Sequence, residues 1–578
     1  MINIDKQAVL ARAREWTKAP FDRETREKVQ HMIDTDDPLL IESFYKDLEF
    51  GTGGMRGIMG VGTNRMNKYT IGKNTQGLAN WLLEHVKDHR PSVAVNYDVR
   101  HNSKEFARLV ADVLSANGIQ VYLFKEFRPT PELSFAVRYL HTDAGIVLTA
   151  SHNPPEYNGY KVYGSDGAQV VPPQDREIVE AIKKVRFEDI KFDADESLIQ
   201  LIGEEVDEAF IRESVAHATF GKRDRSNIRI LFTSLHGTSI TIMPRAMEQA
   251  GFTDFHIVEE QAEPNGDFPT VESPNPEEPA AFTMALEKAE KIGADIILAT
   301  DPDADRIAVA VRDHHGRMRL LNGNQTMAVM DQFLIDRWRD AGRLKGREFI
   351  ASTIVSTDMI MEIGQANNVY VKRSLTGFKW IAKLIRDYEG KLQFIGGGEE
   401  SFGYMVGDFV RDKDSITSGL LAAEIASYMK ERGRSFFDFL VDLYLRYGFY
   451  KEHLVALVKK GLEGKAQIQA MMKRFRENPP QSIVGEKIVR IEDYLTSEIK
   501  DLVKGTVTPI TEIPRSNVLI FYTDRGTKVA LRPSGTEPKI KFYISVQYPM
   551  DNKQQLDQLE EQAGLKIRRI IDELGIDG

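Results

Sequence analysis

The chain has 578 residues, 42% of them hydrophobic and 28% charged, with a formal net charge of −10. At roughly 100–200 residues per domain this length predicts three to five domains, and so mild a charge offers no general attraction to nucleic acid or to an acidic membrane surface. No apolar run approaches the roughly 18–20 residues of a membrane span, and with no cysteine the chain has no disulfides, thiolate metal sites or cysteine nucleophile, which suits a reducing cytoplasm.

The opening MINIDKQAVLARAREW reads as an amphipathic helix of mixed charge, without the apolar core of a signal peptide. Between the β-branched runs SVAVNYD (92–98) and GIQVYLF (118–124), Phe106, Leu109, Val110, Val113 and Leu114 mark one buried helical face. Asn102 with Glu105 reads as a capping box there, and Gly118 as the stop. This is a strand–helix–strand unit. A second unit opens with IRILFTS (228–234) and, after the proline-rich loop 263–279, reaches DIILAT (295–300). A third holds REFIASTIV (347–355), a helix around 377–388, and KLQFIGGG (391–398). The segment 431–500 reads as helix-rich and charged, a link to the last unit. There NVLIFYT, TKVALR and KIKFYISV (517–546) predict an antiparallel meander closed by a C-terminal helix.

Five loops carry candidate chemistry. TDPDADR (300–306) follows the buried strand DIILA, and ligands bind at the carboxyl ends of strands in open α/β sheets. Its carboxylates Asp301, Asp303 and Asp305 can converge on one hard cation such as Mg²⁺. An EF-hand is excluded, because Arg306 stands where the loop needs Gly and Arg312 where it needs Glu. IVLTASHNPPEYNGYKVY (146–163) carries Ser151, His152 and Asn153 outside any G-x-S-x-G elbow. A serine hydroxyl can carry a phosphoryl group when a metal neutralises the charge. Lys161, returning beside it, is expected to be lowered toward neutral pKa as an acid/base.

GTGGMRGIMG (51–60) lacks the spacing of a Walker or Rossmann loop, but aims Arg56 at an anion. In LRPSGTEPK (531–539), Arg532, Ser534, Thr536 and the backbone NH of Gly535 can surround a phosphate. GGGEESFGY (396–404) offers Glu399 and Ser401 to sugar hydroxyls, flanked by TGFKW (376–380) and RDKD (411–414). Each loop read alone is also an ordinary turn. No HExxH, His/Cys zinc cluster or basic-aromatic strip is present.

Taken together and in order, TASHNP (149–154), DPDADR (301–306), GEESFG (398–403) and RPSGTEP (532–538) resemble the four signatures of the α-D-phosphohexomutase superfamily. These are the phosphoglucomutases and phosphomannomutases, and the likeness covers roughly residues 40–578. It implies an α/β chain of four domains around a central cleft: three related mixed-sheet α/β units and a C-terminal α+β antiparallel-sheet domain. We divide them at 1–206, 207–320, 321–447 and 448–578. It implies that Ser151 holds the transferable phosphate, with His152 in the same catalytic loop. Asp301, Asp303, Asp305 and a Ser151 oxygen would hold Mg²⁺, with Arg56 and Lys161 beside them. Arg306, Thr376, Gly377, Glu399 and Ser401 would meet the sugar, Lys413 its phosphate, and Arg532, Ser534, Gly535 and Thr536 would clamp the phosphate.

Phospho-Ser151 would then donate to a sugar monophosphate, with glucose 1,6-bisphosphate as intermediate and activator, in a cytoplasmic monomer or homodimer. GEESFG favours glucose phosphates over the GEMSGH pattern of dual mannose/glucose enzymes. Phe409 in DFVRDKD replaces the His of muscle-type DHIREKD. The long form is similar to bacterial Gram-positive-type phosphoglucomutases and phosphopentomutases, so mannose and pentose phosphates stand as alternatives. A sugar-phosphate phosphatase and a non-catalytic sugar-phosphate binder are the remote ones.

Overall fold

In the computed structural model, which describes residues 5–51, 54–459, 461–534 and 539–576, the first strand–helix–strand unit forms as predicted. Strands Ser92–Tyr97 and Gln120–Phe124 lie parallel, and helix Ser103–Ala116 joins them. The capping box does not form. Asn102 has φ +60° in place of the extended backbone of an N-cap, its side-chain amide turns to the Met59 sulfur (3.3 Å), and it makes no capping hydrogen bond.

The described residues divide into two compact units, 5–326 with Phe378–Phe436, and Met327–Gly377 with 437–576. In the first unit a six-stranded sheet runs in the order Gly54–Ile58, Tyr157–Gly164, Ala144–Leu148, Ser92–Tyr97, Gln120–Phe124, Ile199–Ile202. Its last four strands are parallel, and Tyr157–Gly164 returns antiparallel along Ala144–Leu148. Every residue of Ala144–Leu148 is buried, as in a parallel strand covered on both faces. The N-terminal helix, Lys6–Glu15, packs on this body through Val9, Ala13 and the following Trp16, which stacks on Phe21 at 4.3 Å.

A second sheet follows in the order Met318–Leu320, Ile307–Arg312, Ile296–Thr300, Ile230–Thr233, Phe255–Ile257. Thr300 pairs with Ile307, so the six residues of DPDADR are the whole turn of a hairpin. GEESFG repeats the device. Strands Gln393–Gly398 and Tyr404–Val406 pair Gly398 with Tyr404, leaving 399–403 as the turn.

Helix Ser415–Lys430 is buried along nearly its whole length against helices Glu204–Ala218 and Met243–Ala250. Its N-cap Asp414 accepts from the amides of Ile416 (2.9 Å) and Thr417 (3.0 Å). Burial pushes this carboxyl up to about 6, against the hydrogen bonds from Thr417 and Ile416. The folded state therefore holds the proton more tightly than the unfolded chain, where aspartate titrates near ~3.9. Stability falls as pH rises from about 4 to about 6, and the cost is fully present above that. Asp414→Asn keeps the capping oxygen and has no charge to bury. Its Tm, measured from pH 4 to 8, is expected to rise relative to wild type across that window and to stay higher above it.

In the second unit, Glu348–Thr353 and Tyr370–Ser374 are parallel, with helix Met359–Asn367 between them in sequence. The antiparallel sheet runs Phe449–Val458, Lys539–Tyr548, Lys528–Pro533, Leu519–Thr523, Glu486–Asp493, Glu498–Asp501, Thr506–Pro509. Helices Gly461–Glu477 and Leu556–Leu574 cover it. The expected meander is there, but 431–500 is not simply helix-rich. It supplies strands Phe449–Val458, Glu486–Asp493 and Glu498–Asp501. The first of these pairs over ten residues with Lys539–Tyr548, some 90 residues away, and so distant a partner leaves little trace in local pattern. Among the described residues, no helix is long and apolar enough to cross a membrane.

Candidate active site

Ser151 opens the turn that follows strand Ala144–Leu148 and lies in the left-handed region, at φ +52°, where a residue with a side chain is strained. Its amide donates to the Thr149 hydroxyl (2.8 Å), and its own hydroxyl donates to Asp301 Oδ2 at 2.7 Å. His152 Nδ1 lies 3.2 Å from the Ser151 hydroxyl oxygen. Burial, then the nearby Arg306 and Arg56 guanidinium groups, holds the His152 imidazole well below its usual range, so it is neutral.

Asp301, Asp303 and Asp305 are all buried, and one carboxylate oxygen from each lies within 4.8 Å of the others. The amides of Asp305 and Arg306 fold back to Asp301 Oδ1, each at 3.0 Å, and shape the turn. Burial and the two neighbouring carboxylates push Asp301 well above the ordinary range. Asp303 goes the other way. Burial opposes its charge, but the Lys161 ammonium pulls it far below.

Lys161 lies on strand Tyr157–Gly164, opposite Val147, and reaches Asp303 Oδ2 at 2.8 Å and Asp305 Oδ2 at 3.4 Å. Lys413 reaches Asp305 Oδ2 at 2.9 Å. Three buried carboxylates thus face two ammonium groups. This corrects the expectation for Lys161. Burial alone would lower it, but Asp303 and Asp305 raise it above its usual value, so it stands as a cation.

Arg56 sits on strand Gly54–Ile58 opposite Gly159 and donates to Asn153 Oδ1 at 2.8 Å, inside the serine turn. Arg306 pairs with Glu277. The 399–403 turn is fixed beside the aspartates by backbone, with Ile307 N donating to Phe402 O at 2.9 Å. Glu399 is buried and Ser401 half-buried on that turn. Ser415 Oγ, at the start of its helix, donates to Ala304 O at 2.6 Å. Ser151, His152, Arg56, Lys161, the aspartates, Arg306, Glu399, Ser401 and Lys413 therefore all belong to one compact unit.

The remaining expected contacts belong to the other unit. Thr376 follows strand Tyr370–Ser374 with its hydroxyl buried and without a hydrogen-bond partner, and Gly377 has φ +111°. Arg532 lies on strand Lys528–Pro533 opposite Lys541, and Ser534 N donates to Lys539 O at 2.7 Å. Gly535 and Thr536 lie outside the described residues.

Three contributors escape the sequence reading. Thr130, which opens helix Thr130–Tyr139, holds Asp303 through its amide (2.8 Å) and hydroxyl (3.0 Å). Asp412 accepts from Tyr163 (2.7 Å), Gln169 (3.0 Å) and the Lys413 ammonium (3.2 Å), and so steadies that lysine. Glu277, partner of Arg306, sits in the proline-rich loop. Only RDKD carried a signal, since Asp412 stands next to the lysine singled out there.

Comparison with known families decides the larger question. The phosphoglucomutase/phosphomannomutase α/β/α profiles for domains I, II and III match residues 47–189, 208–316 and 322–447, in that order. The chain belongs to this family. Its members are mutases, enzymes of the isomerase class. A phosphoglucomutase of Staphylococcus aureus strain USA300 is 42% identical over 513 residues, 88% of this chain and 91% of that one. The fold matches the open form of the Paramecium phosphoglucomutase pp63/parafusin at a TM-score of 0.68 and 17% identity, covering 92% and 95% of the two chains. It matches a family protein from Burkholderia thailandensis at 0.64 and 16%, covering 91% and 97%.

The packing around Phe409 accounts for its ring. Its ring stacks on His217 at 4.7 Å and meets Phe135 and Phe210, each at 6.2 Å. Here this position is an aromatic packing element between helices.

Proposed function

We propose that this family member interconverts glucose 1-phosphate and glucose 6-phosphate through phosphorylated Ser151 and a glucose 1,6-bisphosphate intermediate. The observation that carries the reading is the Ser151 hydroxyl, 2.7 Å from one of three buried carboxylates. Those carboxylates fit Mg²⁺. The donors are all hard oxygens, and Asp303 Oδ1 and Asp305 Oδ1 are buried without a hydrogen-bond partner. Asp301, Asp303, Asp305 and a Ser151 oxygen would hold the ion, which when bound supplies positive charge against the transferring phosphoryl group.

The chain's own residues do the rest. Arg56 and the ammonium of Lys161 offset charge on the equatorial oxygens, where fixed cations in a dry site act most strongly. A sugar hydroxyl attacks phosphorus as the bond to Ser151 Oγ breaks, and the proton it loses passes to that oxygen. Neutral His152 hydrogen-bonds the serine oxygen and keeps it aimed. Glu399 and Ser401 receive sugar hydroxyls, a role we also assign to Thr376 and Gly377, and Arg306 and Lys413 steer the substrate. Arg532, Ser534, Gly535 and Thr536 clamp the phosphate that is not in transfer. The bisphosphate then turns end for end and returns its other phosphate to Ser151. We assign this work to the cytoplasm and to the four segments 1–206, 207–320, 321–447 and 448–578.

The test is a competition among glucose, mannose and ribose phosphates with matched bisphosphate activators. Glucose phosphates are expected to lead. Mannose 6-phosphate is expected to follow roughly 10–100-fold lower in kcat/KM, because a buried carboxylate loses one of two hydroxyl partners. A lead by ribose 5-phosphate of an order of magnitude would replace glucose with pentose.

A further inference from the structure

Arg100 lies outside the four signatures and outside the carboxylate cluster, yet its guanidinium is spent almost entirely on the serine turn. Nη1 donates to the carbonyls of Pro154 (2.8 Å) and Tyr157 (3.2 Å), and Nη2 to those of Ser151 (2.6 Å) and Asn153. Nε stands 3.4 Å from Asp98 Oδ2, and both side chains are fully shielded from solvent. Its flat face rests over the Phe268 ring, 5.1 Å from the centroid. Asp98 is itself fixed, since its Oδ1 accepts from the Arg100 amide (2.9 Å) and the Ser103 hydroxyl (2.7 Å).

A charge so deeply buried is tolerated only with partners, and here most of them are backbone carbonyls of residues 151–157. The converse also holds. Four carbonyl dipoles pointing at one spot repel each other unless a rigid fork of donors sits there. The same turn contains Ser151 in the left-handed region, a conformation that persists only where the surroundings impose it. A lysine ammonium has three donors and no plane, and cannot bridge the four.

We propose that Arg100 is a positioning residue for phosphoryl transfer: by gathering the carbonyls of Ser151, Asn153, Pro154 and Tyr157 it holds the Ser151 oxygen toward Asp301. This rests on the reading of Ser151 as the phosphate carrier. It predicts a defect in transfer, not in sugar-phosphate binding, because the Arg100 guanidinium meets the serine turn, Asp98 and Phe268 and none of the groups assigned to the sugar phosphate.

The experiment measures kcat, KM and Tm for Arg100→Lys, Arg100→Ala and Asp98→Asn, with intact mass of the wild type and of Ser151→Ala alongside. Arg100→Lys is expected to lose about 10–100-fold in kcat, the scale of a misplacement near 1 Å, with KM within about threefold. Arg100→Ala should lose more and recover part of it when guanidinium ion is added, but not ammonium. If Arg100→Ala does not fold, Asp98→Asn keeps the test open. It retains the oxygen that accepts from Arg100 N and Ser103, and should lower kcat with KM unchanged. Wild-type kcat in Arg100→Lys overturns the proposal, as does an activity loss in which KM and kcat move together with Tm. If wild-type Ser151 carries no phosphate, the serine reading falls and this proposal with it. Phosphate present with unaltered Arg100→Lys kinetics sinks this proposal alone.

Discussion

Ser151→Ala is expected to bind sugar phosphates as wild type does and to turn them over at least about 10⁴-fold more slowly, the scale on which enzymes lose a covalent nucleophile. The substitution removes one oxygen that donates to Asp301 and leaves the turn's other restraints in place, among them the amide bond to Thr149 Oγ1. The fold should therefore survive. The variant also loses the hydroxyl on the TASHNP turn that the structure places against a carboxylate of the cluster. Two measurements check this. Intact mass of the wild-type protein should show about 80 Da of added phosphoryl group, absent from the variant. Isothermal titration should give glucose 6-phosphate affinities within a few fold of each other. Turnover near wild type in Ser151→Ala would end the phosphoserine reading.

Asp303→Asn should be nearly as damaging, with activity lower by about 10²–10⁴-fold and the Mg²⁺ midpoint raised at least about tenfold, because a hard-cation site loses one unit of negative charge. Asp303 does more than offer ligand oxygens. It is the short partner of Lys161, and its backbone and side chain are both held by Thr130. An asparagine keeps an acceptor for the Thr130 hydroxyl but cannot neutralise Lys161, which falls back on Asp305 at 3.4 Å. Its like-charge pressure on Asp301 also disappears, so the Asp301 carboxyl should titrate closer to its ordinary range. Titrating activity against Mg²⁺ tests the first claim, and a midpoint and rate both unchanged would leave the loop as an acidic turn.

The local reading worked where one segment contains its own reason. The buried run DIILAT followed by DPDADR needs no partner to announce a strand and a polar turn, and TASHNP announces another. Four such loops in order were enough to reach the family. The N-terminal helix was equally legible from its charge and apolar spacing, although only its packing against Phe21 and Phe44 shows what Trp16 is for. Local reading failed where a neighbour overruled propensity. Asn102 and Glu105 have the spacing of a capping box, but Asn102 is left-handed with its amide on the Met59 sulfur, and the box does not close.

Charge is where the sequence stopped furthest short. Which lysine and which carboxylate share a cavity depends on strand register. Pairing Lys161 with Val147 turns its side chain to the aspartates, and a slip of one residue would turn it to the opposite face of the sheet. Lys161 was therefore expected to be lowered by burial, while the fold raises it by supplying Asp303 and Asp305. Arg100 shows the same limit from the other side. Nothing in NYDVRHNS distinguishes it from a surface arginine. Only when strands Ser92–Tyr97 and Ala144–Leu148 lie side by side do the loops at their ends meet, and the guanidinium finds the carbonyls of the serine turn. The sequence determined which chemical groups the protein owns and the order in which it presents them. Their distances, and hence their charges, were decided by long-range pairing, because Coulomb and hydrogen-bond energies depend on separations that residue spacing does not encode.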